Sequence, residues 1–104
     1  MYELRYTFEC GSGVCLWAEN DVTRERYNIA VDHRDLPISE NTKYWLGYLI
    51  AWFDTSMNWD DCPQMSSHWT GDFDTFAIRA NKGFQMLVND LRDQRYLIID
   101  NTRK

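Results

Sequence analysis

Residues 2–10 alternate between apolar and polar side chains, and this pattern constrains the fold more than any other feature of the chain. A period of two is typical of a strand with one buried face. A second run follows a Gly-Ser-Gly segment that suits a tight turn, and in it Val14, Leu16 and Ala18 occupy alternate positions. The two runs therefore predict a β-hairpin. The apolar positions of the first run are Tyr2, Leu4, Tyr6, Phe8 and Cys10.

A three-residue loop would set the register of this hairpin. In such a loop Gly13 supplies the positive φ, and Cys10 lies opposite Val14. Val14 and the alternate residues after it then share the buried face of the first strand. Trp17 is left on the other face, where so large a ring requires a cover or a partner.

Two amphipathic helices are predicted further along the chain. Ser39 is a suitable N-cap for a helix that ends near Ser56. Apolar residues at helical spacing predict a second helix over residues 73–91, with Thr70 or Asp72 as its N-cap. Both helices carry an apolar stripe, so each needs a sheet or another helix to pack against.

The remaining elements have shorter patterns. Val22–Tyr27 is compatible with a short helical turn, and Tyr27–Val31 with a brief strand. Arg95–Ile99 predicts a final strand, and its unbroken apolar run indicates a central position in the sheet.

Together these elements predict one α+β domain over residues 1–104. A chain of this length suits a single domain. The simplest assembly is a small antiparallel sheet, made of the N-terminal hairpin plus the C-terminal strand, with two helices packed on one face.

The net charge of −5 is concentrated in one central segment. Between Lys43 and Arg79 the chain has five aspartates and no lysine or arginine, and the rest of the chain has equal numbers of acids and bases. Such a segment repels phosphate, which argues against a nucleic-acid ligand. It is either a solvated acidic loop or a surface for a basic protein partner. The aspartates are Asp54, Asp60, Asp61, Asp72 and Asp74.

Cysteine count and hydropathy indicate the compartment. Three cysteines, an odd number, suit a reducing environment better than a disulfide scaffold. The N-terminus lacks the pattern of a secretion signal, and no apolar run is long enough to span a membrane. The sequence therefore predicts a cytoplasmic protein without membrane association.

Candidate catalytic and metal-binding residues are few. Cys62 and His68 are a conceivable nucleophile and base, but two loop residues at this spacing carry little geometric information. The spacing of the cysteines and histidines does not match structural zinc sites. Asp60 and Asp61 are adjacent and point in opposite directions in extended chain. We therefore expect no enzyme activity, no metal and no cofactor. A small enzyme is kept as a third hypothesis, behind the two protein-binding functions described below.

The tryptophans fall into two groups. Trp45 and Trp52 lie on the stripe of the first long helix and are predicted to be core residues. Trp59 and Trp69 flank the acidic loop over residues 57–70. There they would either anchor the loop to the body of the domain or form an interface hot spot, and one loop can do both.

Three runs of sequence, 16–21, 31–39 and 53–60, resemble those of small bacterial immunity-type proteins from contact-dependent or secreted toxin systems. The resemblance extends to about Asp93. It departs at Asp93-Gln94-Arg95, where a glycine-containing turn would be expected before the last strand.

The resemblance implies a toxin inhibitor that acts in the bacterial cytoplasm by binding its cognate toxin. Many such toxins are nucleases with basic faces, which an acidic inhibitor is suited to cover. The alternative is a protein-interaction or regulatory module of another complex. The oligomeric state stays open. The predicted partner-binding residues are Asp54, Trp59, Asp60, Asp61, Trp69, Asp72 and Asp74.

Overall fold

The computed structural model describes residues 1–9, 12–56, 73–92 and 94–102, and within these ranges it confirms the α+β class. The described residues form three α-helices and one four-stranded sheet. The strands are β1 (Tyr2–Tyr6), β2 (Leu16–Ala18), β3 (Ala30–Val31) and β4 (Tyr96–Asp100). The helices are α1 (Asp21–Tyr27), α2 (Glu40–Ser56) and α3 (Phe73–Leu91), with a 3₁₀ turn at His33–Asp35.

The sheet has the strand order β3-β2-β1-β4 and is mixed, not antiparallel throughout as predicted. β2 is antiparallel to both of its neighbours, whereas β4 runs parallel to β1. A tight hairpin forces two strands to be antiparallel. β1 and β4 lie at opposite ends of the chain, with α2 and α3 between them in sequence, so no local turn sets their relative direction.

The prediction of a central C-terminal strand is wrong, because β4 is an edge strand. Its residues alternate between partly buried and exposed, and the side chains of Leu97 and Ile99 are 46% and 41% exposed. An unbroken apolar run is compatible with burial on both faces but does not require it.

The hairpin is confirmed, but its register differs from the prediction by two residues. Leu4 lies opposite Ala18, and Tyr6 opposite Leu16. A shift of two positions keeps Leu16 and Ala18 on the predicted buried face. Val14, before β2, was predicted to be buried but is only partly so, whereas its neighbour Cys15 is fully buried. Gly13 has a φ of 71°, as predicted. The prediction for Cys10 lies outside the described residues.

Trp17 lies opposite Arg5 on the sheet face that points away from α3. The helix-facing side is identified by Tyr6, whose ring contacts Phe84 of α3. The Trp17 indole N–H donates to the carbonyl of Thr7 at 3.3 Å, and the ring is only half-buried. The polar tip of Trp17 therefore has a partner within the hairpin.

α2 and α3 pack antiparallel over the other face of the sheet. Near the start of α2, Thr42 donates to Asp90 in the last turn of α3 at 2.6 Å. Near the end of α2, the Phe53 ring lies 5.9 Å from that of Phe76 in the first turns of α3. Gly83 is the point of closest approach, since a Cβ there would lie 3.0 Å from a Leu49 methyl group. The two helices thus share a long seam.

The start of α2 is capped as predicted. The backbone N–H of Thr42 donates to the Ser39 hydroxyl at 3.2 Å. Asp90 accepts from both the backbone and the hydroxyl of Ser39, so α3 also holds this cap in place. The predicted N-cap of α3, Thr70 or Asp72, lies outside the described residues.

Candidate functional site

Two of the predicted partner-binding residues lie within the described part of the chain. Asp54 is in the last turn of α2 and Asp74 in the first turn of α3, so the antiparallel helices place both at the same end of the pair. Asp54 is partly buried, and this burial raises its pKa. Asp74 is exposed. The others lie outside the described residues; they are Trp59, Asp60, Asp61, Trp69 and Asp72.

A row of three rings follows one side of α2. The centroids of Trp45 and Tyr48 are 5.4 Å apart, and those of Tyr48 and Trp52 are 5.8 Å apart. Spacings of three and four residues place consecutive rings on one helix face. We call these three residues the aromatic row. Because Trp45 and Trp52 are only partly buried against the core, the prediction that they are core residues holds only in part.

Two cations of α3 cover the aromatic row. The Arg79 guanidinium carbon lies 5.3 Å from the centroid of Trp52, and Lys82 Nζ lies 4.6 Å from the centroid of Trp45. Arg79 also donates to the Tyr48 hydroxyl at 2.7 Å. Cation–π contacts of this geometry are worth about 0.5–1 kcal/mol each at exposed sites.

A backbone contact adds to this arrangement. The Trp45 indole N–H donates to the carbonyl of Arg79 at 3.1 Å. Trp45 is therefore held both by the main chain of α3 and by a cation of the same helix. The rings of the aromatic row are therefore restrained by α3 in the free chain.

Exposed apolar side chains border the aromatic row on both helices. Tyr44 is 81% exposed on α2, and Ile78 is 71% exposed on α3. Tyr48, within the row, is 39% exposed. We call the whole patch the α2–α3 surface. It consists of Tyr44, Trp45, Tyr48, Trp52, Ile78, Arg79 and Lys82.

An open groove of about 1040 Å³ runs beside α2 and shares Tyr44 and Tyr48 with the α2–α3 surface. Its other side is formed by the 3₁₀ turn, where Arg34 donates to Asp32 through its side chain and lowers the pKa of Asp32 to about 2. His33 lies in this turn and contacts the Lys43 carbonyl at 3.1 Å through Nε2. The groove thus extends the aromatic patch toward a polar rim.

His33 is buried in the wall of this groove. Burial lowers its pKa, so the neutral imidazole is favoured at neutral pH. Its ring sits next to Gly47 of α2, where an added Cβ would lie 3.9 Å from Nε2. With a backbone carbonyl as its partner, His33 has the surroundings of a structural histidine.

The described residues offer no constellation for catalysis by metal or thiolate. Among them no group of three or more His, Cys, Asp or Glu side chains could hold a metal ion. Cys15 is fully buried, and burial raises its pKa, which keeps the thiol protonated. The candidate pair Cys62 and His68 lies outside the described residues.

Sequence reasoning did not identify Arg79 and Lys82 as members of a site. Both lie on the polar side of an amphipathic helix, where solvated cations are ordinary. Their spacing of three residues on α3 was the available signal. This spacing becomes informative only when α2 is known to run antiparallel beside α3.

Comparison with the chain's possible relatives adds no assignment. Neither the models of known protein families nor the curated proteins include a match to this sequence. In the described part of the chain, no helix has the length and apolar character needed to cross a membrane.

Proposed function

We propose that this chain binds another protein through the α2–α3 surface, and that the partner is a toxin which the chain neutralises as an immunity protein. The observation that carries the binding role is the aromatic row, which is partly exposed and lies beside Arg79, Lys82 and the exposed side chains of Tyr44 and Ile78. Trp, Tyr and Arg are the residues most enriched at interface hot spots. The resemblance noted in the sequence supports the narrower assignment as an immunity protein.

Exposed apolar area and restrained aromatic rings both favour binding at this surface. Burying exposed apolar surface contributes about 25 cal/mol per Å². Tyr44, Tyr48 and Ile78 are all exposed in the free chain, so a partner that covers them adds this burial free energy to the free energy of binding. The rings of the row are already restrained by α3, so less of that gain is lost to ordering side chains.

Charge suggests the kind of toxin. The chain carries a net charge of −5, and Asp54 and Asp74 lie together at one end of the helix pair. A basic partner would be drawn toward that end and would associate faster at low ionic strength. Because Arg79 and Lys82 lie on the α2–α3 surface itself, the part of the partner that covers the aromatic row would be apolar or acidic. A toxin that acts on nucleic acid has such a basic face. We therefore favour a nuclease toxin that is bound in the cytoplasm.

The direct test is co-expression of the chain with the product of its neighbouring gene, followed by size-exclusion chromatography. The proposal predicts co-elution and protection of cells from the neighbouring product. The double variant Tyr44→Ala/Arg79→Glu should lose both the co-elution and the protection. Co-elution without toxicity of the neighbouring product would instead favour an interaction module of another complex, and absence of any complex would contradict the proposal.

A further inference from the structure

Within the described residues, β4 is an edge strand that lacks the features by which edge strands usually avoid pairing. Such strands are commonly very short or carry charges. The opposite edge, β3, has only two residues. β4 has five, Asp100 is its only charged residue, and its exposed side chains Leu97 and Ile99 are aliphatic. The two edges of the sheet therefore differ in their capacity to accept another strand.

The hydrogen bonds to β1 determine which backbone groups of β4 point outward. The N–H of Tyr2 donates to the carbonyl of Arg95, and the N–H of Asn101 donates to the carbonyl of Tyr6. In a parallel ladder, alternate residues of a strand bond to the same neighbour. The backbone N–H and C=O groups of the odd-numbered residues of β4 therefore point toward β1. The N–H and C=O groups of the even-numbered residues point to the open edge.

These outward residues are Tyr96, Ile98 and Asp100, and they are symmetric about Ile98. We infer that β4 pairs antiparallel with β4 of a second copy of this chain, with the two-fold axis at Ile98. In this register Ile98 lies opposite its own copy, and Tyr96 lies opposite Asp100. All three residues then exchange N–H···O=C bonds with their partners, as hydrogen-bonded pairs of an antiparallel ladder do.

Side chains agree with the same register. Leu97 lies opposite Ile99 of the second copy as a non-hydrogen-bonded pair, in which side chains approach most closely. Both are exposed in the single chain and cover each other in the dimer. No like charges are opposed, since Asp100 meets Tyr96. A register centred at Asp100 would oppose two carboxylates and would pair fewer residues.

The topology explains why a second copy is the expected occupant. Pairing of β4 with itself is isologous and closes at two subunits. An open chain of copies would need the other edge, and β3 is too short to offer a comparable ladder. The dimer interface lies on β4 and is separate from the α2–α3 surface, so this inference does not depend on the proposed function.

A charge-swap experiment on the full chain tests this dimer. The wild type should show twice the mass of one chain by sedimentation velocity. Leu97→Lys/Ile99→Lys opposes lysines across the axis and should be monomeric, and so should Leu97→Glu/Ile99→Glu. An equimolar mixture of the two variants should recover the dimer mass, because each lysine then meets a glutamate. The matched control, Val22→Lys/Ile29→Lys, places charges at exposed positions away from β4 and should remain dimeric.

Several outcomes would overturn the inference. These are a wild type that is monomeric throughout a concentration series, charge variants that keep the dimer mass, and a mixture that does not reassociate. Circular dichroism establishes that each variant is folded. If a charge variant does not fold, Leu97→Thr/Ile99→Thr keeps β-propensity and should weaken the dimer measurably.

Discussion

The hydroxyl of Tyr6, in β1, donates a hydrogen bond of 2.8 Å to the carbonyl of Ala80 in α3, and the bond lies in the buried core. Burial raises the pKa of Tyr6 well above its ordinary value, so the phenol stays protonated and remains a donor. This contact joins the sheet to the longer helix at the centre of the domain.

Tyr6→Phe should therefore lower the free energy of unfolding by about 1 kcal/mol, the typical net contribution of one hydrogen bond. Urea unfolding followed by circular dichroism measures the change. Tyr44→Phe is the matched control, because its ring is exposed, and it should change stability by less than about 0.5 kcal/mol. Equal effects of the two substitutions would argue against a special role for the Tyr6 hydroxyl.

Two glycines of the helices should respond in opposite directions to alanine. At Gly83 a Cβ would lie 2.8 Å from Tyr6 Oη and 3.0 Å from Leu49 Cδ1, so Gly83→Ala overpacks the seam and should destabilise by about 1–3 kcal/mol. At Gly47 the nearest atom is 3.9 Å away, so Gly47→Ala should stabilise by up to about 1 kcal/mol through helix propensity. Thermal unfolding distinguishes the two. Stabilisation by Gly83→Ala would contradict the close approach of α2 and α3.

The carboxylate of Asp90 should make stability depend on acid pH. Burial raises its pKa, but hydrogen bonds from Thr42 and Ser39 outweigh this effect and hold the pKa below its usual value. A depressed folded-state pKa contributes stability that is fully present above the unfolded value of about 3.9 and is lost as pH falls through the folded value. Asp90→Asn should thus be less stable than the wild type at pH 7. The difference should shrink below about pH 4.

Unfolding curves of both proteins at neutral and acid pH test this expectation. Asp35→Asn serves as a control, because Asp35 is exposed. A difference between Asp90→Asn and the wild type that stays constant with pH would show that the charge of Asp90 does not stabilise the cap.

The turn before β4 contains a residue in the left-handed region. Arg95 has a φ of 61°, and this is the segment in which the resemblance led us to expect a glycine. The left-handed conformation costs a residue with a Cβ about 1 kcal/mol relative to glycine. Arg95→Gly should therefore raise stability by up to this amount, whereas Arg92→Gly, at a position without positive φ, should not. Denaturant midpoints of the two variants provide the comparison.

The elements that the sequence predicted best are those whose patterns are local. The alternation of residues 2–8 depends on neighbours in the chain, and its buried face is as expected. The bounds of α2 are also close to the prediction, but its buried face is centred on Leu46, Leu49 and Phe53, and Tyr44 and Tyr48 are exposed. Even the hairpin register error left the buried face of residues 2–8 unchanged, because it was a shift of two. The parallel direction and edge position of β4 depend on contacts with β1, far away in sequence, and no local pattern encodes them.

The candidate site also depends on contacts between residues that are distant in sequence. Trp45 and Trp52 have the spacing of core residues, and spacing alone cannot distinguish a core ring from one at the rim of the core. In the structure both rings lie at the rim of the core, where they contact Arg79 and Lys82 of α3. The acidic segment was visible from charge alone, and only its two ends, Asp54 and Asp74, lie in the described part of the chain.

The most direct test of the binding proposal is the rate at which the partner dissociates from surface variants. In surface plasmon resonance with the neighbouring gene product immobilised, Tyr44→Ala/Tyr48→Ala should dissociate at least about tenfold faster than the wild type, a loss of about 1.4 kcal/mol. Val22→Ala/Ile29→Ala, exposed apolar residues elsewhere, should match the wild type. Equal dissociation rates for the wild type and both double variants would contradict the assignment of the α2–α3 surface as the binding site.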